Sequence, residues 1–195
     1  LQAIATAKRL GAVVSATDVR SATKEQVESL GGKFIMVESD EIDSETSGGY
    51  AKEMSEDYKR KQAALIAQTL SKQDIVICTA LIPGKKAPLL VSQEMVESMA
   101  PGSVIVDLAV EAGGNCPLSK LNQIVIHKEV KIIGYANVPG KVSKDASALY
   151  AKNIFNFLNS MFNKENKSFN LDLNDEIVKE VTLTHDGSLR LEQFK

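Results

Sequence analysis

Hydrophobic and polar positions alternate in blocks along this chain, and the blocks change period. Leu1–Leu10 (LQAIATAKRL) is made of good helix formers and is followed by Gly11, a residue suited to a helix C′ position. Ala12–Val19 (AVVSATDV) is apolar and β-branched and carries Asp18 near its end, which predicts a buried strand with an acid at its C-terminal edge. Thr23–Leu30 predicts a short helix closed by Gly31-Gly32, and Lys33–Val37 a second strand. Glu38–Asp57 is acidic, contains glycine and has little periodicity, so it reads as a long loop. From Tyr58 a helical period returns through Ala64, Leu65, Gln68 and Thr69 to Asp74. Ile75–Thr79 predicts a third strand, Ser92 the cap of a helix through Met99, and Ser103–Leu108 a fourth strand with Asp107 at its end. Two shorter strands are expected at Ile124–Ile126 and Val130–Ile133. Asp145–Phe162 places Ala146, Leu149, Tyr150, Ile154, Phe157, Leu158, Met161 and Phe162 on a wide apolar face, predicting a core-facing helix. In the polar tail, Ile177–Thr184 and Asp186-Gly187 suggest strands around a tight turn.

Strands and helices alternating at this spacing, with strands that are continuous rather than alternating in polarity, indicate an α/β fold with a parallel sheet buried on both faces. The spacing also matches a dinucleotide-binding unit: a helix, a second strand, and Asp18 where such units place the acid that bonds the adenosine ribose. In that register a final fingerprint glycine falls at or just before Leu1. The chain is therefore expected to be a fragment of a Rossmann-type, doubly wound parallel sheet that lacks its first strand and Gly-rich loop. A carboxylate at Asp18 suits a free 2′-hydroxyl and repels a 2′-phosphate, favouring NAD over NADP. Arg20 leaves this open, since a guanidinium could accept a 2′-phosphate or stack on adenine.

Composition narrows the partners. The chain has 195 residues with 23 Lys plus Arg against 25 Asp plus Glu, a net charge of −2, so no blanket attraction to nucleic acid is expected. No apolar run approaches the roughly 20 residues of a membrane span, and no secretion signal is visible. Cys78 and Cys116 read as free thiols of a reducing compartment, Cys78 in strand core and Cys116 in a loop. The acids Glu38, Asp40, Glu41, Asp43 and Glu45 read as a solvated loop rather than a metal site. His127 and His185 are too isolated for a metal or triad arrangement, and Lys59, Arg60 and Lys61 form a solvated helix start. Asp107 and Glu111 bracket the end of the fourth strand, where they either position a ribose or bond loop amides.

Four strings then carry a resemblance: Ser47–Ser55 (SGGYAKEMS), Thr79–Pro88 (TALIPGKKAP), Pro101–Ser119 (PGSVIVDLAVEAGGNCPLS) and Tyr135–Gly140 (YANVPG). In order, and together with Thr184-His185-Asp186-Gly187, they resemble the NAD(H)-binding domain I of the proton-translocating NAD(P) transhydrogenase α subunit, of the alanine dehydrogenase/transhydrogenase family. Alanine dehydrogenase shares part of this pattern but lacks the GGYAKEM loop and the AGGNCPLS string. The resemblance implies a Rossmann NAD(H)-binding lobe over residues 1–135, and a C-terminal helix and tail over 136–195 that belong to a second lobe. It implies that Asp18, Val19 and Arg20 bind the adenosine end, that Gly49, Gln62 and Leu81 line the cofactor site, and that Tyr50 belongs to a mobile lid. It further implies a homodimer, a separate domain III carrying NADP(H), and a transmembrane proton-channel domain in the same complex. The chain would then be a soluble domain on the cytoplasmic or mitochondrial matrix side. No residue here need act as an acid or base, because the cofactor carries the hydride. Two alternatives stand beside this reading: an alanine dehydrogenase-like oxidoreductase and a non-catalytic nucleotide-binding or assembly fragment.

Overall fold

The computed structural model describes residues 1–37, 55–82 and 84–191. The chain divides into two compact units, Leu1–Ala136 and Asn137–Lys195. In the first unit, helix α1 (Gln2–Arg9) leads to strand β1 (Ser15–Ala16), helix α2 (Thr23–Ser29) and strand β2 (Lys33–Phe34). β1 and β2 pair in parallel, Ser15 opposite Lys33 and Ala16 opposite Phe34. The return from α2 to β2 is close: a Cβ on Gly32 would lie 3.0 Å from Val27 Cγ1 and 3.3 Å from Ile4 Cγ2, so the absent side chain lets α1 and α2 meet over this turn.

Helix α3 (Glu56–Leu70) begins where Ser55 Oγ accepts a hydrogen bond from Tyr58 N at 3.2 Å, with Glu56 and Asp57 in the first turn facing the positive end of the helix. Strand β3 (Ile75–Cys78), helix α4 (Gln93–Glu97), strand β4 (Val104–Asp107), a 3₁₀ turn (Val110–Ala112), strand β5 (Gln123–His127) and strand β6 (Val130–Gly134) follow. They build a four-stranded sheet of order β3-β4-β6-β5. β3, β4 and β6 run parallel, and β5 pairs antiparallel to β6. The parallel strands and alternating helices make this the expected α/β, Rossmann-type architecture. Ile105, Val130 and Ile132 are fully buried and pack with Leu70, Cys78, Val91, Val96, Met99 and Cys116 as the core. Ser92 caps α4 as anticipated, its hydroxyl accepting from Met95 N at 3.2 Å.

Several expectations change. β1 and β2 are two-residue strands, shorter than the apolar runs around them, because only those residues complete the parallel ladder. Strand β3 is not covered on both faces: as the edge strand it leaves Ile75 65% and Ile77 47% exposed, while Cys78 points into the core.

The second unit contains helix α5 (Val138–Lys141), helix α6 (Ser143–Met161), strands β7 (Phe162–Asn163) and β8 (Ser168–Phe169), helix α7 (Glu176–Val181), and strands β9 (Thr184–His185) and β10 (Ser188–Leu189). Ile177–Val181 is therefore helical rather than extended, because Asp175 accepts hydrogen bonds from Ile177 N and Val178 N and caps a helix there. The tight turn is where expected, with Asp186 at φ 49° and Gly187 at φ 72° joining β9 to β10. The core-facing expectation for α6 is also corrected. None of its residues is buried among the described residues, and Leu149, Tyr150 and Phe155 are exposed, so its apolar stripe is left uncovered.

Two polar ties fix the first unit. At one end, Glu97 at the close of α4 accepts from Gln93, from His127 at 2.8 Å and from Lys128 across the β5–β6 turn. The Lys128 bond first, then those from His127 and Gln93, holds the Glu97 carboxyl down to about 2. At the other end, Asp107 closes β4 with no exposed surface. Its Oδ1 accepts from Ala109 N at 3.0 Å, and its Oδ2 from Asn115 N at 2.8 Å, Cys116 N at 3.1 Å and Ser119 Oγ at 2.6 Å. Gly113 and Gly114 (φ 99° and 81°) turn the backbone so that these amides face inward, and a Cβ on Gly114 would sit 2.8 Å from Asp107 Oδ2.

Asp107→Asn turns an amide N–H₂ toward backbone N–H donors and removes the charge they solvate, and is expected to lower stability by about 3 kcal/mol. Urea unfolding with an unchanged m-value is the measurement. Glu97→Gln is expected to lower Tm modestly at pH 7. Because a depressed carboxyl contributes stability above its unfolded pKa of about 4.3 and loses it as pH falls through the folded value, that difference should shrink as pH goes from 5 toward 2. Thermal melts of both proteins across that range would read it.

Candidate functional site

Open α/β sheets bind ligands beyond the C-terminal ends of their parallel strands, and Asp18, Val19, Arg20 and Leu81 follow such ends. Asp18 lies two residues past the end of β1, where the backbone leaves the ladder and turns toward α2. Arg20 reaches back to it. Arg20 N and Nε donate to Asp18 Oδ1 at 2.9 and 3.0 Å, and Arg20 Nη2 donates to Oδ2 at 2.7 Å. The guanidinium thus grips the carboxylate with both edges of a two-pronged contact. The backbone is locked as well: Thr23 Oγ1 donates to Arg20 O at 2.7 Å and starts α2. Burial works against ionising Asp18, but the side-chain and backbone bonds from Arg20, its charge, and a bond from the Val19 backbone outweigh that and lower its pKa. The result is a fixed, half-buried anion with a cation beside it.

Leu81 lies just past β3 and is 55% exposed. Its neighbour Ala80 is held from below by the buried Asn115, whose Oδ1 accepts from Ala80 N at 3.1 Å and whose Nδ2 donates to Ala80 O at 2.9 Å. Gln62 projects from the first half of α3 and is half-buried. The structure brings Asp18, Val19 and Arg20 together in one turn, while Gln62 and Leu81 come from two other elements. Gly49 and Tyr50 lie outside the described residues, as do the acids Glu38, Asp40, Glu41, Asp43 and Glu45.

The two acids at strand ends part company here. Asp107 spends its oxygens on loop amides and a serine hydroxyl, so of the two roles open to it the structure assigns the internal one. Glu111 is exposed on the 3₁₀ turn. Both cysteines are free and buried. Burial, helped by the Asp107 charge and by Cys116, pushes the Cys78 thiol up to about 12, and burial raises Cys116 too. Lys59, Arg60 and Lys61 pair with Glu56 and Asp57 along the exposed first turns of α3. His127 is engaged by Glu97, and His185 sits 3.3 Å from Asp186. Among the described residues no group of His, Cys, Asp and Glu could hold a metal.

Sequence pattern did not single out Asn115. Its signal was the Gly113-Gly114-Asn115 run after a strand-ending acid, a pattern that brings a loop back under its own strand. Asparagine there supplies both a donor and an acceptor for a backbone peptide.

A residue that holds the ribose of NAD(H) must present an acceptor to a hydroxyl, and the Asp18 carboxylate is ionised, positioned and part-exposed, so the donor set fits. The family profile described as alanine dehydrogenase/PNT, C-terminal domain, matches residues 1–192. A subunit alpha polypeptide of the NAD(P) transhydrogenase of Rhodospirillum rubrum is 60% identical over 190 residues, covering 97% of this chain and 50% of that protein. The crystal structure of a transhydrogenase from Sinorhizobium meliloti superposes with a TM-score of 0.77 at 52% identity, covering 96% of this chain and 48% of its own. An L-alanine dehydrogenase structure follows with a TM-score of 0.59 at 26% identity over 75% of this chain and 36% of its own. The chain thus spans about half the length of the transhydrogenase relatives it matches. With a profile match running through nearly all of its length, the chain belongs to the alanine dehydrogenase/PNT C-terminal domain family.

Proposed function

We propose that this chain is the NAD(H)-binding part of a proton-translocating transhydrogenase, passing hydride between NADH here and NADP bound on a separate domain III. The observation that carries the reading is the 60% identity over 97% of the chain to a transhydrogenase subunit alpha polypeptide. In this reading residues 1–135 form the Rossmann NAD(H) lobe and 136–195 belong to a second lobe. The unit works as a homodimer beside domain III and a transmembrane proton-channel domain, on the cytoplasmic or mitochondrial matrix side. No helix among the described residues is long and apolar enough to cross a membrane, so the span is assigned to other parts of the complex.

The nicotinamide supplies the hydride, and this chain's residues bind and orient. Asp18, Val19 and Arg20 hold the adenosine end. A carboxylate has room for about four hydrogen bonds, and Arg20 fills three while the Val19 backbone supplies another. A ribose hydroxyl arriving at Asp18 exchanges bonds with Arg20 more than it adds them, and Arg20 keeps the acceptor charged and aimed. A 2′-phosphate would meet the same carboxylate with like charge, which supports NAD over NADP. Gln62, Leu81 and Gly49 line the remainder of the cofactor site, and Tyr50 closes over it as part of a lid.

An alanine dehydrogenase-like activity is the second reading, supported by the L-alanine dehydrogenase likeness at 26% identity. The intact subunit tested with NADH and either pyruvate plus ammonia or its NADP-binding partner domain separates the two. Hydride transfer only with the partner domain is expected, and turnover of pyruvate and ammonia would overturn the transhydrogenase reading. Asp18→Asn in the intact subunit is expected to weaken NADH binding by about 1.5–3 kcal/mol, the worth of a charge-assisted hydrogen bond. Fluorescence titration of NADH reads that, and an unchanged Kd would remove Asp18 from the site.

A further inference from the structure

Asn115 is fully buried, and every one of its polar groups is committed. Its backbone N–H donates to Asp107 Oδ2 at 2.8 Å, and its carbonyl accepts from Leu90 N at 2.9 Å and Val91 N at 3.0 Å. Its carboxamide meets both the N–H and the C=O of Ala80, at 3.1 and 2.9 Å, much as a neighbouring strand would, and Nδ2 also donates to Pro88 O at 2.8 Å. One side chain therefore fastens both ends of the connection that leaves β3 and returns toward α4. Aspartate lacks the donors, glutamine adds a methylene the buried site has no room for, and serine is too short to span Ala80 and Pro88.

The residue at the free side of this fastening is Leu81. The peptides on either side of Ala80 cannot rotate without each breaking a hydrogen bond to Asn115, so the direction in which Leu81 leaves the sheet edge is set by Asn115. Asp107 in turn sets Asn115. We propose that Asn115 is a positioning residue for dinucleotide binding, acting through Ala80 to hold Leu81 and the start of the connection in the orientation that bound NAD(H) needs. This rests on the reading of the chain as an NAD(H)-binding unit. Asn115 touches no substrate in this role, and its effect is on the geometry of the binding edge.

The test uses the intact subunit and its NADP-binding partner domain, with Asn115→Ala, Asn115→Asp and, as a stability control, Val96→Ala. Val96 is fully buried in the core on α4 and makes none of the Asn115 hydrogen bonds. Asn115→Asp keeps the acceptor for Ala80 N–H but sets a carboxylate oxygen against the Ala80 and Pro88 carbonyls. Both Asn115 variants are expected to raise the NADH Kd, and KM for NADH, about tenfold or more, with kcat at saturating NADH within about twofold. Val96→Ala is expected to lose as much Tm with an unchanged Kd. Folded Asn115 variants with the wild-type Kd, or a Val96→Ala protein that binds as weakly as they do, would overturn the positioning role. Should both Asn115 variants fail to fold, Ala80→Pro deletes the N–H donated to Asn115 Oδ1 and carries the same expected and overturning results. Absence of NADH binding by the wild-type subunit would instead overturn the functional reading itself.

Discussion

A buried carboxylate held by backbone amides and a hydroxyl organises the C-terminal edge of this sheet. Moving an isolated carboxylate out of water costs many kcal/mol, so Asp107 is tenable only if donors replace the water it gave up. Three backbone amides and the Ser119 hydroxyl do so. Each charge-assisted bond of this kind is worth about 1.5–3 kcal/mol, enough that the loop from Leu108 to Ser119 has little freedom to be anything but what delivers those donors. Gly113 and Gly114 are at positive φ for that reason. Once the loop is closed, Asn115 lies under the end of β3 and fixes Ala80. Placement of the connection after β3 thus descends from one acid through one amide to one loop.

Two acids beside strand ends end up in opposite roles. Asp18 follows β1 by two residues and Asp107 ends β4, and the helix–strand spacing singled out only Asp18. Asp107 is enclosed and its oxygens are spent internally. Asp18 keeps about a quarter of its side chain exposed and is held by an arginine that an incoming hydroxyl can partly displace. Accessible charge with an exchangeable partner is what a binding residue needs, and only one of the pair has it. The cysteines follow the same logic: burial raises both thiols.

Much of the fold was legible because it rests on local rules. Continuous apolar runs located β3, β4 and β6, Ser92 marked its helix start by a hydroxyl that caps Met95, and Asp186-Gly187 marked a hairpin by backbone that tolerates positive φ. The failures have physical causes too. Ile177–Val181 has the apolar, β-branched character of a strand, yet the Asp175 cap satisfies the first amides of a helix, and capping won over propensity. The apolar stripe of α6 correctly forecast a helix but not what lies against it, since amphipathicity states that a face wants covering and says nothing of the partner.

Of the candidate site, the sequence by itself determined that an acid, Asp18, follows an apolar run at the spacing of a dinucleotide-binding unit, because strand ends follow from local hydrophobic pattern, while Val19, Arg20 and Leu81 are expected only through the family resemblance. Tertiary structure decided that Asp107 faces inward and that Asn115 reaches Ala80. Asn115 and Ala80 are 35 residues apart in the chain. No local preference encodes a hydrogen bond across that separation: it exists only because β3 and β4 pair in register and bring their following loops within reach of one another.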